Sequence, residues 1–134
     1  MAGDAIKLVY LLRRKPGVSR DEFQAYWRDK HGPFVANLSP QFGIRRYVQS
    51  HAFDNPLDAM LVSSRGTLDE GFDGVTEIWW DSVEAFMAAA GTEDGAKAAQ
   101  AFVNDEANFV DFSRSIAFFT REHVVYGLDE KGAA

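Results

Sequence analysis

Two strand-like runs, Ile6-Lys7-Leu8-Val9-Tyr10-Leu11-Leu12 and Ile116-Ala117-Phe118-Phe119-Thr120, carry apolar side chains at both parities. Successive strand residues point to opposite faces, so Leu8 and Tyr10 oppose Val9 and Leu11, and Ile116 and Phe118 oppose Ala117 and Phe119. A sheet built from them is apolar on both sides. The chain's own helices can cover one face. The other needs a second cover, and a partner subunit is the economical one. At 134 residues the chain is long enough to bury a core but short for two domains.

Between these runs the punctuation predicts alternating elements. Pro16-Gly17 turns the chain, and Ser19 with Glu22 three residues later forms a capping box that opens a helix. Ser39-Pro40 and Gly43 mark the next turn. Ile44 to Phe53 reads as a second strand, with Tyr47, His51 and Phe53 on one face together with Arg45 and Gln49, and Asp54-Asn55-Pro56 ends it. Residues 54–72 are long for a bare loop; Leu57, Met60 and Leu61 fit one apolar helical turn in a segment that is either a lid or surface padding. Val75 to Trp80 is a third strand. Asp81-Ser82 caps a helix containing Val83, Phe86 and Met87, Gly91 interrupts it, and Thr92-Glu93-Asp94 restarts a helix whose apolar positions include Ala98, Ala99, Phe102 and Val103. The last strand is expected to extend from Ile116 through Val124-Val125-Tyr126, and the charged tail beyond Gly127 to fray.

The order strand, helix, strand, strand, helix, strand predicts an α+β fold. Specifically, it predicts a ferredoxin-like βαββαβ unit with an antiparallel four-stranded sheet, forming a dimeric α/β barrel through its uncovered face. The whole chain, 1–134, is expected to be one domain with a core of about 6–126.

The first helix carries the most informative motif, Tyr26-Trp27-Arg28-Asp29-Lys30-His31-Gly32-Pro33. Phe23, Tyr26, Trp27, Lys30, His31, Phe34, Val35 and Leu38 follow the i, i+3, i+4, i+7 rhythm of one helix face. A titratable imidazole therefore sits on the side meant for the interior. Pro33 lacks an N–H and disfavours helical geometry at Gly32, so a kink or break is expected before Phe34.

Composition removes several functional classes. The net charge of −6 argues against nucleic acid, since Arg13-Arg14-Lys15 and Arg45-Arg46 are short and read as solvated strand ends. The absence of cysteine excludes disulfides, thiolate catalysis and Cys-ligated metal sites, and fits a cytoplasmic protein. The run from Ile6 to Leu12 is too short to span a membrane. No Gly-x-Gly-x-x-Gly, P-loop or Gly-x-Ser-x-Gly sequence occurs, and no paired-histidine metal signature, so no cofactor and no metal are expected. Aromatic residues make up 13% of the chain, which suits either a Phe-rich core or a cavity for a small apolar or aromatic ligand.

Tyr26-Trp27 followed by His31-Gly32-Pro33 resembles the EthD family of small dimeric α/β-barrel proteins. The likeness is reinforced by Asp73-Gly74-Val75-Thr76-Glu77-Ile78-Trp79-Trp80-Asp81-Ser82, by Asn108-Phe109-Val110-Asp111 and by Thr120-Arg121-Glu122-His123-Val124-Val125. The resemblance implies a homodimer of ferredoxin-like protomers with a cavity near the first helix. It also implies small-molecule catabolism, the founding member being associated with ethyl tert-butyl ether degradation alongside a cytochrome P450 system. Similar proteins include fungal decarboxylases of polyketide aromatics. Related dimeric barrels include cofactor-free monooxygenases, polyketide cyclases and muconolactone isomerases, and the family is often described as oxidoreductase.

His31 is the first candidate for chemistry. An imidazole titrating near neutral pH suits decarboxylation, enolisation or cyclisation, and the competing reading is a structural histidine pinning the helix break. Tyr26 and Trp27 either line a pocket or pack on the sheet. His51 can reach a cavity or the dimer interface, and His123 is expected to be exposed. Lys30 can hold an anionic substrate or snorkel outward. Glu77 points with an apolar set and is either a base or, as the expected reading, a structural partner of Arg46 or Arg114. Three functions follow: a cofactor-free decarboxylase, cyclase or oxidoreductase-type enzyme using His31; a non-catalytic protein that binds a hydrophobic metabolite for an oxygenase pathway; and a scaffold with a filled core and no cavity.

Overall fold

The computed structural model describes residues 3–128. Ile6–Leu12 (β1), Arg46–His51 (β2), Gly74–Trp80 (β3) and Ile116–Thr120 (β4) form one antiparallel sheet in the order β2-β3-β1-β4. The helices are Arg20–Tyr26 (α1), Gly32–Leu38 (α2), Leu57–Arg65 (α3), Val83–Ala90 (α4) and Glu93–Glu106 (α5). The ferredoxin-like order expected from the sequence is therefore present, with α3 inserted between β2 and β3. No helix among the described residues is long and apolar enough to cross a membrane.

Cross-strand register sorts the side chains. Leu8 lies opposite Ile78 and Phe119, and Tyr10 opposite Thr76 and Ala117, so these share the face toward the helices. Ile6, Ile78 and Trp80 from that face pack with Val35 of α2 and Ala98 and Phe102 of α5. A second cluster joins Leu12 to Phe23, Trp27, Phe109 and Val110. The opposite face presents Val9, Val48, Ile116 and Phe118, the last two about half exposed at 51% and 49%.

Local signals set the helix starts. Ser19 and Glu22 form the reciprocal capping box, Ser82 accepts from the Ala85 N–H, and Thr92 from the Gly95 N–H. Buried Asp73 then ties α1 to the sheet, accepting from the Arg14 backbone at 2.9 Å and from Arg20 Nε at 3.1 Å. Gly74 admits Trp27 to the core: a Cβ at this position would lie 2.3 Å from the indole and 2.8 Å from the Ser50 carbonyl.

Four expectations need correction. Of the kink or break expected before Phe34, no break occurs: the helix is disturbed but continuous. Instead it widens into a π-type turn over Trp27–His31, where the Gly32 N–H bonds to the Trp27 carbonyl, and α2 restarts with Pro33 in its first turn, where its missing donor costs nothing. The wide turn narrows the buried seam to an i, i+4 line of Phe23, Trp27, His31 and Val35, which leaves Lys30 and Phe34 exposed. The final strand stops at Thr120, because its last rung pairs Thr120 with Lys7 near the start of β1; Val124, Val125 and Tyr126 lie beyond it and are exposed. Glu77 pairs with Lys7 at 2.7 Å, its diagonal neighbour on β1, while Arg46 lies over the Trp79 ring and Arg114 pairs with Glu70. The single turn expected near Leu57 is the nine-residue α3, with Leu57, Met60 and Leu61 exposed. The expected fraying of the charged tail falls on 129–134, outside the described residues.

Candidate active site

A cavity of about 510 Å³ opens between the helix-covered sheet face and the helices, lined by members of both core clusters. Its wall is apolar except for His31, Glu106, Tyr10, Tyr47 and Thr76, and no lysine or arginine among the described residues lines it. That size and polarity fit a small-molecule site and not the filled core of a scaffold.

The π-type turn aims His31 inward, where it is 5% exposed with its ring edge against Phe109, centroids 5.0 Å apart. Its Nδ1 lies 2.6 Å from Asp105 Oδ2. The other Asp105 oxygen accepts from the Tyr26 hydroxyl at 2.6 Å and from the Asn108 amide at 3.3 Å. Burial works against the charge on Asp105, but the hydrogen bonds from Tyr26 and His31 outweigh it and hold the carboxyl below its usual range. For His31, burial is the larger effect and lowers its pKa, while the Asp105 hydrogen bond and charge oppose it. Burial thus favours the neutral ring, and the Asp105 carboxylate beside Nδ1 favours the tautomer with its proton there, which leaves the Nε2 lone pair for a ligand.

Glu106, one residue further along α5, lines the same cavity. Burial pushes its carboxyl up to about 7; the charge of Asp105 adds to this and a hydrogen bond with Tyr10 works against it. Tyr10 is pushed up by burial and by Glu106, and Tyr47 to about 12, chiefly by burial.

The sequence-predicted residues divide. His31 and Trp27 line the cavity. Tyr26 stands behind Asp105 and acts on His31 through it. His51 stacks on Trp27, centroids 4.3 Å apart, and its Nε2 bonds Gln49 Oε1 at 2.8 Å, outside the cavity lining. Lys30 is exposed and also outside it. Sequence reasoning missed Asp105 and Glu106. A signal for Glu106 was present: Ala99, Phe102, Val103 and Glu106 repeat the i, i+3, i+4, i+7 spacing and put a carboxylate on an apolar stripe, as the first helix does with His31. For Asp105 no local pattern existed. Among the described residues no group of three or more His, Cys, Asp or Glu is placed to hold a metal ion.

Residues 15–113 match the EthD domain model. Dehydratase ustZ of Ustilaginoidea virens is 29% identical over 76 residues, 55% of this chain and 54% of that protein, so the match spans about half its length. The conidial pigment biosynthesis dehydratase EthD of Metarhizium robertsii is 26% identical over 104 residues, 76% of this chain and 71% of that protein. Among solved structures, an ethyl tert-butyl ether d (ethd) family protein from Bacillus halodurans superposes with a TM-score of 0.60 at 18% identity, covering 89% of this chain and 99% of that one. A dimeric protein of ferredoxin-like fold from Bacteroides fragilis gives 0.55 at 12% identity, covering 89% and 97%. At these identities the solved structures show the fold alone.

Proposed function

We propose that this chain, which belongs to the EthD domain family, is a lyase that removes water from a small apolar or aromatic compound through proton transfer at His31. The observation that carries this reading is the neutral His31, oriented by Asp105, on the wall of an apolar cavity. In a β-hydroxy carbonyl compound, Nε2 takes the proton from the carbon beside the carbonyl. The released electron pair forms the C=C bond as the C–O bond breaks, and the hydroxyl leaves as water after gaining a proton inside the cavity. Asp105 keeps the ring oriented and stabilises the imidazolium that forms. The dehydratase names of both curated relatives support elimination over the oxidoreductase chemistry expected from the sequence.

The test is an assay without added cofactor on neutral aromatic and alicyclic β-hydroxy ketones. A product lighter by one water is expected. Binding of these compounds with no water loss overturns the lyase reading in favour of a protein that holds a hydrophobic metabolite for a partner enzyme, a role the apolar wall also fits.

We further propose that the protein is a homodimer joined by the sheet face bearing Val9, Ile116 and Phe118, in line with the dimeric solved neighbour. Light scattering at micromolar concentration is expected to give twice the chain mass, and Phe118→Asp a monomer. A monomeric wild-type mass refutes the arrangement.

A further inference from the structure

We infer that Glu106 is the proton donor of this site, acting in the same cavity as His31 and restricting the ligand to an uncharged hydroxylated compound. The inference rests on the lyase reading and names the group that reading leaves open. Geometry carries it. Among the described residues Glu106 is the one acidic side chain in the cavity wall, and the charged or polar groups around it come from every layer: Tyr10 from β1, Tyr47 from β2, Thr76 from β3, His31 from the turn before α2 and Asp105 from α5 itself. None of these is a lysine or arginine that could pair with an ionised Glu106, and His31 has its Nδ1 committed to Asp105. An ionised carboxylate with only the Tyr10 hydroxyl to bond it in an apolar wall is costly, which favours the protonated acid. Burial and the neighbouring Asp105 charge act in that same direction.

One carboxylate, Asp105, thus serves two neighbours in opposite ways. It accepts from Nδ1–H and so leaves Nε2 as a base, and its charge keeps the proton on Glu106. Two groups with separated proton preferences give an acid and a base in one cavity. During elimination the Glu106 O–H transfers its proton to the departing hydroxyl oxygen, the C–O bond breaks, and water forms. Glu106 ends as carboxylate and His31 as imidazolium; return of the proton from Nε2 to Glu106, directly or through water, restores both. No other reactant is consumed. The same wall disfavours a carboxylate ligand, because it offers no lysine or arginine and places Glu106 beside it. Decarboxylation of an aromatic acid, one of the activities implied by the family resemblance, is therefore not what this cavity is built for.

Leaving-group rescue tests the assignment. Glu106→Gln is expected to slow water loss from a β-hydroxy ketone by about 10²–10⁴-fold. The matching β-acetoxy ketone expels acetate, which needs no protonation, and Glu106→Gln is expected to process it within about tenfold of wild type, with His31→Gln slow on both. Equal slowing of both substrates by Glu106→Gln, or no slowing of either, overturns the proton-donor role while leaving the lyase reading standing. A readout independent of turnover is the infrared C=O band of a protonated carboxyl at pH ~6, present in wild type and absent in Glu106→Gln. Its absence from wild type overturns the inference whatever becomes of the lyase activity.

Discussion

His31→Gln is expected to lower turnover by about 10²–10⁴-fold while leaving ligand affinity and the fold in place. Glutamine fills similar space, and its amide can donate to Asp105 Oδ2 where Nδ1 now does at 2.6 Å, so the carboxylate keeps its partners and the Tyr26 contact survives. What disappears is the lone pair at Nε2, the atom that takes the proton in the proposed chemistry. The measurement is a split one: kcat from the water-loss assay, and affinity from calorimetric titration with a non-reacting ketone. Lost turnover with retained binding identifies a base. Unchanged turnover excludes His31 from the chemistry, and joint loss of binding and fold assigns it to packing instead. Wild-type turnover carries a companion signature. Burial lowers the His31 pKa below 6.5 and raises that of Glu106 to about 7, so activity is expected to fall on acidification, as His31 takes up a proton, and to fall again as pH rises through about 7, where Glu106 loses its own.

The second large effect is on stability. Glu106 holds its proton to about pH 7 in the folded chain against 4.5 when free of the fold. Between those two values the folded state binds the extra proton, so its stability falls as pH rises through the window. The stabilisation is full below 4.5 and gone above about 7, a difference of roughly 3 kcal/mol at the ordinary conversion between pKa and free energy. His31 and His51, both lowered chiefly by burial, act with the opposite sign, since the unfolded chain takes up their protons more readily as pH drops toward 6. Wild-type stability alone therefore mixes the two trends. Glu106→Gln separates them, and its stability relative to wild type is expected to rise by roughly 3 kcal/mol between pH ~4.5 and ~8, measured by urea unfolding at matched ionic strength. A flat difference across that range means that Glu106 is not held protonated by the fold.

Particular residues show how far the sequence reaches. His31 and Trp27 were found because helix periodicity places both on an interior face, and both line the cavity. Lys30 shared that periodicity, yet it is exposed. The π-type turn adds a residue to the helical circuit, and Gly32-Pro33 signals a disturbance without saying which kind. His51 shares a strand face with Tyr47 and Gln49, and what it touches is set by the Trp27 ring, which Gly74 allows to lie across the strand end. Strand alternation puts Glu77 on the face of Val75 and Trp79, but its partner, Lys7, is chosen by the register of β1 against β3.

The sequence by itself determined the four strands and the helices that cover them, their order and the capped helix starts, though not the length of α3 or the end of β4. Those follow from hydrogen bonding and side-chain periodicity among residues a few positions apart, and such information is local. Only the tertiary structure decided which groups share the cavity. Asp105 lies 74 positions from His31, and no spacing rule predicts that the two meet. Whether Glu106 carries a proton is likewise a property of its surroundings, set by the apolar wall and the charge beside it and not by its own residue type.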